Sequence, residues 1–338
     1  MVTDNQVVDV IDALPDGALV IDEAGLIIAA NAAARDALQL EPKGLTATTV
    51  IRNSAFVAAL ASVRSSSHPA SFEFEIHSRP PRHIDAYVSS IGNSQRVLVI
   101  LRDLTREQTL ERMRSDFVAN ASHEMRTPLA SIMGAIETLQ GPAKNDAKAR
   151  EKFLNSMLGQ AQRMKRLIDD LLTLSRIELN AHVRPNAKVS LLQIAKQARG
   201  NLQSLSNELS ISVNIEEGAD VLVAGDSDEL LQVAQNLLEN AIKYGSTGGH
   251  VKITCEIENE TGTLAVQDFG RGISEIHIPR LTERFYRVST QESRARGGTG
   301  LGLAIVKHIL LRHRSKLSIQ SREGEGSTFS FSIPLYKS

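Results

Sequence analysis

The sequence lacks several features that would place it in common classes. A single cysteine, Cys255, rules out an internal disulfide framework and a cysteine-based zinc site. No window approaches the roughly 18 apolar residues of a membrane span, so the chain is not expected to cross a bilayer by itself. Its start, MVTDNQVVDV, has no basic-then-apolar layout and reads as no signal peptide. Neither sign of charge dominates. The 38 Lys and Arg against 39 Asp and Glu leave a net charge of −1, which gives nucleic acid or an anionic membrane no bulk attraction. No internal repeat or low-complexity run appears. What remains is ordinary: 338 residues, 42% hydrophobic and 23% charged, suggest two or three globular domains.

The middle of the chain is organised around FVANASHEMRTPLASI, Phe117 to Ile132. Leu110, Met113, Phe117, Ala121, Met125, Leu129, Ile132, Ile136 and Leu139 recur at steps of three and four, one stripe of a helix. At about 100° per residue, His123 falls opposite the Ala121/Met125 edge and faces water. Glu124 follows it directly. Pro128 removes one backbone hydrogen bond in mid-helix, at a cost of roughly 3 kcal/mol. The helix is predicted from Thr105 almost to Gln140, followed by the polar turn GPAKNDAKAR. A second helix begins near Lys148, with Leu154, Met157, Ala161, Met164, Ile168 and Leu171 as a heptad seam. Two such helices make an antiparallel hairpin, and covering both stripes calls for dimerisation into a four-helix bundle.

Before that hairpin, short strands alternate with turns. ALVID and LIIAAN flank a turn at Glu23–Gly25, and FEFEIH, IDAYVSSI and RVLVILRDL follow NAAARDAL and SAFVAALASV, which read as helices. After it, LLQVAQNLLENAIKY (230–244) clusters Leu230, Leu231, Ala234, Leu238, Ala241 and Ile242 on one side. Asn236, Asn240 and Lys243 line the other, where amide oxygens suit Mg²⁺ and the ammonium suits phosphate. DFGRGI sets Asp268 at a strand's end, with glycines freeing the backbone beside it. GGTGLGLAIVKHIL is a glycine-rich loop running into a helix, a place where backbone N–H groups meet phosphate.

The string HEMRTPL resembles the phospho-acceptor motif of sensor histidine kinases. The three later elements, with ERFYRV between the last two, resemble the N, G1, F and G2 boxes of the kinase's Bergerat-type ATP fold. LPDGALVIDEAGLIIAANAAARDAL resembles the start of a PAS domain. The resemblance implies a multidomain α+β chain. Its parts would be a PAS-like α/β domain (1–104), a dimeric antiparallel helical hairpin forming a four-helix bundle (105–182) and an α/β-sandwich ATP-binding domain (183–338). It further implies that His123 accepts phosphate from ATP, with Glu124 taking the other ring proton, and hands it to an aspartate of a response-regulator receiver domain. Glu124 and Thr127 would orient water to dephosphorylate that regulator. Asn236 would ligate Mg²⁺, Asn240 and Lys243 would contact the phosphates, and Tyr244 would lie along the adenine. Asp268 would accept from the adenine amine, with Gly270 and Gly272 shaping that wall. Arg287 would reach the γ-phosphate, and Gly298, Gly300 and Gly302 would hinge the lid.

IPRLTERFYRV and LRHRSKLSI look like phosphate-regulon sensor kinases, in which the usual HGG after the last long helix is also missing; here it is His313-Arg314-Ser315. The implied location is the cytoplasm, free or as the cytosolic part of a membrane-anchored sensor. A small ligand of the PAS-like domain is a further possibility, and His68, His77 and His83 are its candidate haem ligands, although an ordinary packed domain is the plainer reading. His182, His308 and the other histidines have no partner at metal-ligand spacing. Two rivals stay open. A Bergerat ATPase of the gyrase, chaperone or mismatch-repair kind would carry a glutamate where Asn236 stands, because an amide cannot act as general base. A degenerate kinase would serve only as a dimeric scaffold.

Overall fold

A computed structural model describes residues 4–66, 68–76, 78, 81–92, 95–180, 183–216, 220–245, 248–289 and 298–337. The chain forms two compact units, Met1–Val118 and Ala119–Ser338.

In the first unit, α1 (Asp4–Asp12) precedes β1 (Gly17–Ile21) and β2 (Ile27–Ala30). Helices α2 (Ala32–Leu38), α3 (Ala47–Val50) and α4 (Ser54–Ser66) follow, then β3 (Ala70–Ile76), β4 (Arg82–Ser90) and β5 (Val97–Asp103). The strands form one antiparallel sheet in the order β2-β1-β5-β4-β3. Every residue of β1 is buried, because its two faces serve different cores. Leu19 and Ile21 pack with Phe56 and Leu60 of α4, while Ala18 and Val20 pack with Ile11 of α1. Asn31 ties the unit together. Its carbonyl oxygen accepts from the amides of Ala18 and Ala34, and its amide nitrogen donates to the carbonyls of Ile11, Leu14 and Asp16. His68 is exposed, its Nδ1 against the Ser66 carbonyl, whereas His77 and His182 lie outside the described residues.

Helix α5 (Thr105–Gln140) carries Pro128 without interruption, and α6 (Ala147–Leu179) starts at an Asp146 cap accepting from Lys148 and Ala149. The chain continues through β6 (Ala187–Ser190), α7 (Leu191–Asn201), α8 (Gln203–Glu208), β7 (Ser212–Ile215), β8 (Leu222–Gly225) and α9 (Ser227–Tyr244). It ends with β9 (His250–Glu258), β10 (Thr261–Asp268), α10 (Gly302–Arg312), β11 (Leu317–Arg322) and β12 (Gly326–Pro334). The sheet order is β11-β12-β10-β9-β7, parallel at β7–β9 and antiparallel elsewhere, with β6 and β8 paired separately.

One expected stripe is corrected, that of α9, and the seam of α6 is found open. On α9, Val233 and Leu237 are buried while Leu231 is only half-buried, because α7 and α10 both pack on the helix and widen its apolar face. On α6 the residues buried within the chain are Leu167, Leu174 and Ile177, on the side packed against α10. The heptad seam is left open, with Leu154 and Ile168 exposed. At the end of α10, His313 is buried, its Nδ1–H donating to Ile309 O and its Nε2 accepting from the Asp226 amide. Arg314 follows at φ 55°, a left-handed conformation that glycine ordinarily supplies at a helix end.

Candidate functional site

A cleft of about 550 Å³ opens between α9, the end of β10 and the glycine loop before α10, and Arg166 and Asp170 of α6 join its wall. That size suits a nucleotide-sized ligand. Asn236, Asn240, Lys243 and Tyr244 recur on one face of α9 and all line it. The Asn236 amide nitrogen donates to Gln232 O (3.0 Å), and its oxygen lies on the side of Gly302. That oxygen would stand 2.7 Å from a Cβ on Gly302, so a larger residue there would push the amide aside. Lys243 is 2.6 Å from Glu239, which also lies 3.8 Å from Arg166.

Asp268 sits at the closed end, buried, accepting from the Gly270 amide at 2.9 Å. Burial pushes its pKa up, and hydrogen bonds from Gly270 and Ser327 pull it partly back. Gly272 (φ 70°) lines the wall, and a Cβ there would fall 1.9 Å from the Arg322 carbonyl. Gly270 stands behind the wall instead of lining it.

Opposite Asp268 is the glycine loop, where Gly298, Gly300 and Gly302 line the cleft; residues 290–297 are outside the described set. Thr299 is buried in the loop and donates to Asp170 Oδ2 at 2.7 Å. The Asp170 carboxyl is pushed up mainly by burial, with Glu239 and Asp169 adding to the shift and Thr299 and Arg166 opposing it. Arg287 donates from Nη2 to Thr299 O (2.7 Å) and to Glu124 Oε2 (3.0 Å). Its side chain is 3% exposed, and Nε and Nη1 are buried with no hydrogen-bond partner among the described residues. Such donors suit an anionic oxygen.

His123, Glu124 and Thr127 do not line the cleft, but Glu124 is joined to it through Arg287. His123 is exposed on α5, and the Thr127 hydroxyl bonds back to the His123 carbonyl at 3.3 Å. Glu124 Oε2 also accepts from Arg163 of α6 at 2.9 Å. Sequence reasoning missed Arg163, Arg166, Asp170, Glu239 and Thr299. One signal was available, the Glu239–Lys243 spacing of four on a helix; the rest are joined only when α6 meets the glycine loop and α5. Among the described residues, no group of three or more His, Cys, Asp or Glu could hold a metal ion by itself, and no helix is long and apolar enough to cross a membrane.

Three family profiles match the chain in order. They are the PAS fold (residues 11–109), the His Kinase A (phospho-acceptor) domain (113–180) and the Histidine kinase-, DNA gyrase B-, and HSP90-like ATPase (225–337). With the cleft, the glycine loop and the exposed histidine, this combination defines a class, and the chain belongs to the sensor histidine kinases. Within it, the chain is similar to the phosphate regulon sensor protein PhoR of Pseudomonas aeruginosa, 41% identical over 243 residues, covering 72% of this chain and 55% of that protein. The sensor protein SrrB of Staphylococcus aureus is 30% identical over 256 residues, covering 74% of this chain and 43% of SrrB. The chain thus spans about half the length of the curated relatives it matches. Among solved structures, Acinetobacter baumannii histidine kinase AdeS shares the fold at TM-score 0.51 and 24% identity, covering 64% of this chain and 98% of that one.

Proposed function

We propose that the chain is an ATP-dependent protein-histidine kinase that phosphorylates His123 and passes the group to an aspartate of a response regulator. One observation carries the reading. Glu124, the neighbour of His123, is ion-paired to Arg287, whose buried Nε and Nη1 have no hydrogen-bond partner among the described residues and which lines a nucleotide-sized cleft of the same chain.

In this reading Asp268 accepts from the adenine amine and Tyr244 lies along the base, with Gly272 lining that end and Gly270 behind it. Asn240 and Lys243 hold phosphates, and Gly298, Gly300 and Gly302 let the loop approach them. The Asn236 oxygen, left free of the bond its nitrogen makes to Gln232, fits a magnesium ligand, and Mg²⁺ would supply charge neutralisation of the phosphates when bound. Arg287 turns its free donors to the γ-phosphoryl oxygens. An unprotonated ring nitrogen of His123 attacks the γ-phosphorus. The N–P bond forms, the bond to the β,γ-bridging oxygen breaks to leave ADP, and the proton on the other ring nitrogen passes to Glu124. An amide at position 236 gives water no general base, which favours transfer over hydrolysis.

The working boundaries are 1–104 for a PAS-like input domain where a small ligand would act, 105–182 for dimerisation and phosphotransfer, and 183–338 for ATP binding. The chain acts as a homodimer in the cytoplasm. With Mg-[γ-³²P]ATP the protein should gain acid-labile, base-stable label. His123→Gln should drop it to background while nucleotide affinity stays within about twofold, since His123 does not line the cleft. Label retained on that variant would move the acceptor elsewhere. A regulator-phosphatase activity belongs to the same proposal. Thr127→Ala should slow regulator dephosphorylation roughly tenfold and spare autophosphorylation. Equal losses in both assays would reduce Thr127 to a helix-shaping residue.

A further inference from the structure

Arg312, in the last turn of α10, ties the end of α6 to the body of the ATP-binding half. Its Nε donates to Asn180 O at 3.2 Å and to Val183 O at 2.9 Å. Asn180 caps α6, and the Val183 amide bonds the same Asn180 carbonyl at 3.0 Å. The guanidinium therefore closes over the turn by which the chain leaves the helix. Carbonyls at a helix C-terminus carry partial negative charge, which suits a cation there. On its other edge Arg312 pairs through Nη1 with Glu229 in the first turn of α9, and the two side chains are only 12% and 17% exposed. α9 also carries Asn236, Asn240 and Lys243 of the cleft wall. One side chain thus joins the helix of the nucleotide wall to the exit of the hairpin.

The other ties between the hairpin and that half are of a different kind. Asp170–Thr299 and Glu124–Arg287 involve side chains that line the cleft, where a nucleotide would engage them. The exposed Glu178 meets Arg284 and, at 3.7 Å, His308. Arg312, Glu229, Asn180 and Val183 all stand outside the cleft lining, so a nucleotide leaves their bonds in place. The turn also has leverage. About 24 Å of helix, at roughly 1.5 Å per residue, separates Leu179 from Arg163, the residue of α6 that bonds Glu124. A swivel of about 10° at the turn would move that level by about 4 Å, and a misplacement of about 1 Å already costs about a hundredfold in rate.

We propose that Arg312 is a positioning residue for phosphoryl transfer: by fixing the turn after α6 against α9, it sets how the cleft approaches the hairpin that carries His123. The proposal rests on the kinase reading above. Arg312 touches neither nucleotide nor histidine and acts through the angle between the two parts.

The test uses the full chain, read by single-turnover autophosphorylation at saturating Mg-ATP and by the Kd of a non-hydrolysable ATP analogue with Mg²⁺. Arg312→Lys keeps a cation for Glu229 and puts a methylene where Nε stood, so both carbonyl bonds are lost. Arg312→Gln combined with Glu229→Gln removes the pair without leaving a buried carboxylate unpaired. Each variant should transfer about 10- to 100-fold more slowly, forward from ATP and in reverse to ADP alike, with the analogue's Kd within about twofold of wild type. Transfer from phosphorylated His123 to a receiver domain that the wild type phosphorylates needs no cleft and should keep its rate. Unchanged or faster autophosphorylation in either variant, a loss confined to Kd, or an equal loss in the receiver step would overturn the proposal and leave Arg312 a stabilising tie. Without label on His123 in wild type, the kinase reading and this proposal fall together. With that label and undiminished rates in the variants, the role of Arg312 alone falls.

Discussion

Helices α9 and α5 treat their apolar residues in opposite ways. α9 buries seven of its 18 residues against the sheet, α7 and α10 of its own chain. α5 is twice as long, yet among its described side chains Ala121, Pro128 and Ala135 are the buried ones, while Leu110, Met113 and Leu129 stand 58%, 57% and 47% exposed. Both stripes can be read in the sequence. A periodic stripe states that something covers it and is silent about which chain supplies the cover. In α9 the cover is local, and the cleft is built on that covered helix. In α5 and α6 the described residues leave much of the stripe uncovered, and a second copy is the economical source.

The largest effect should come from attacking the uncovered side. Leu154→Glu with Ile168→Glu, both on the exposed seam of α6, should weaken self-association at least about a hundredfold, since each large apolar side chain contributes about 1.5–3 kcal/mol on burial. Analytical ultracentrifugation reads the association, and nucleotide affinity should be retained. An unchanged dimer would show that another surface joins the copies and would remove the contrast between the two helices.

A smaller effect sharpens the other side of the comparison. Burial holds the His313 and His308 imidazoles below the usual value of 6.5. For His313, the Ile309 bond and Asp226 oppose that shift, and Arg312 and Arg184 assist it; Glu229 lies 3.8 Å from the ring. A lowered folded-state pKa means that the unfolded chain binds more protons between that pKa and 6.5. The stability from this source is therefore complete above pH 6.5 and lost as pH falls through that window. Asp170, Asp268 and Glu229, raised by burial, act with the opposite sign nearer their own ordinary values, so the histidine is read as a difference. Between pH 7 and pH 5 the ATP-binding half should lose roughly 3 °C more of its Tm in wild type than in His313→Gln. Parallel pH profiles by differential scanning calorimetry would mean that the ring is not held neutral.

The legible parts of the molecule were those with local signatures. Alternating strands, the long helix carrying Pro128 and the glycines at 298, 300 and 302 lie where expected, and Asn236, Asn240, Lys243, Tyr244 and Asp268 converge on one cleft. The illegible parts are side chains whose partners are distant in sequence. Arg163 and Asp170 read as ordinary charges on the outer face of a helix, and only the approach of α6 to Glu124 and Thr299 gives them partners 39 and 129 residues away. Helix α1 escaped notice for a related reason, since its packed residue Ile11 finds its cover on the far side of β1.

Arg314 shows how a helix can stop without a stop signal. A glycine at that place would let α10 end by itself. With arginine at φ 55°, the strained turn is held instead by distant groups: the His313 ring accepting from Asp226, and the Ser315 hydroxyl donating to Ser332 O at 2.7 Å. Both partners belong to other elements, one before α9 and one in β12, so the last turn of α10 is expected to order late, after those elements have assembled. In the time course of folding, this helix should acquire its start before its end.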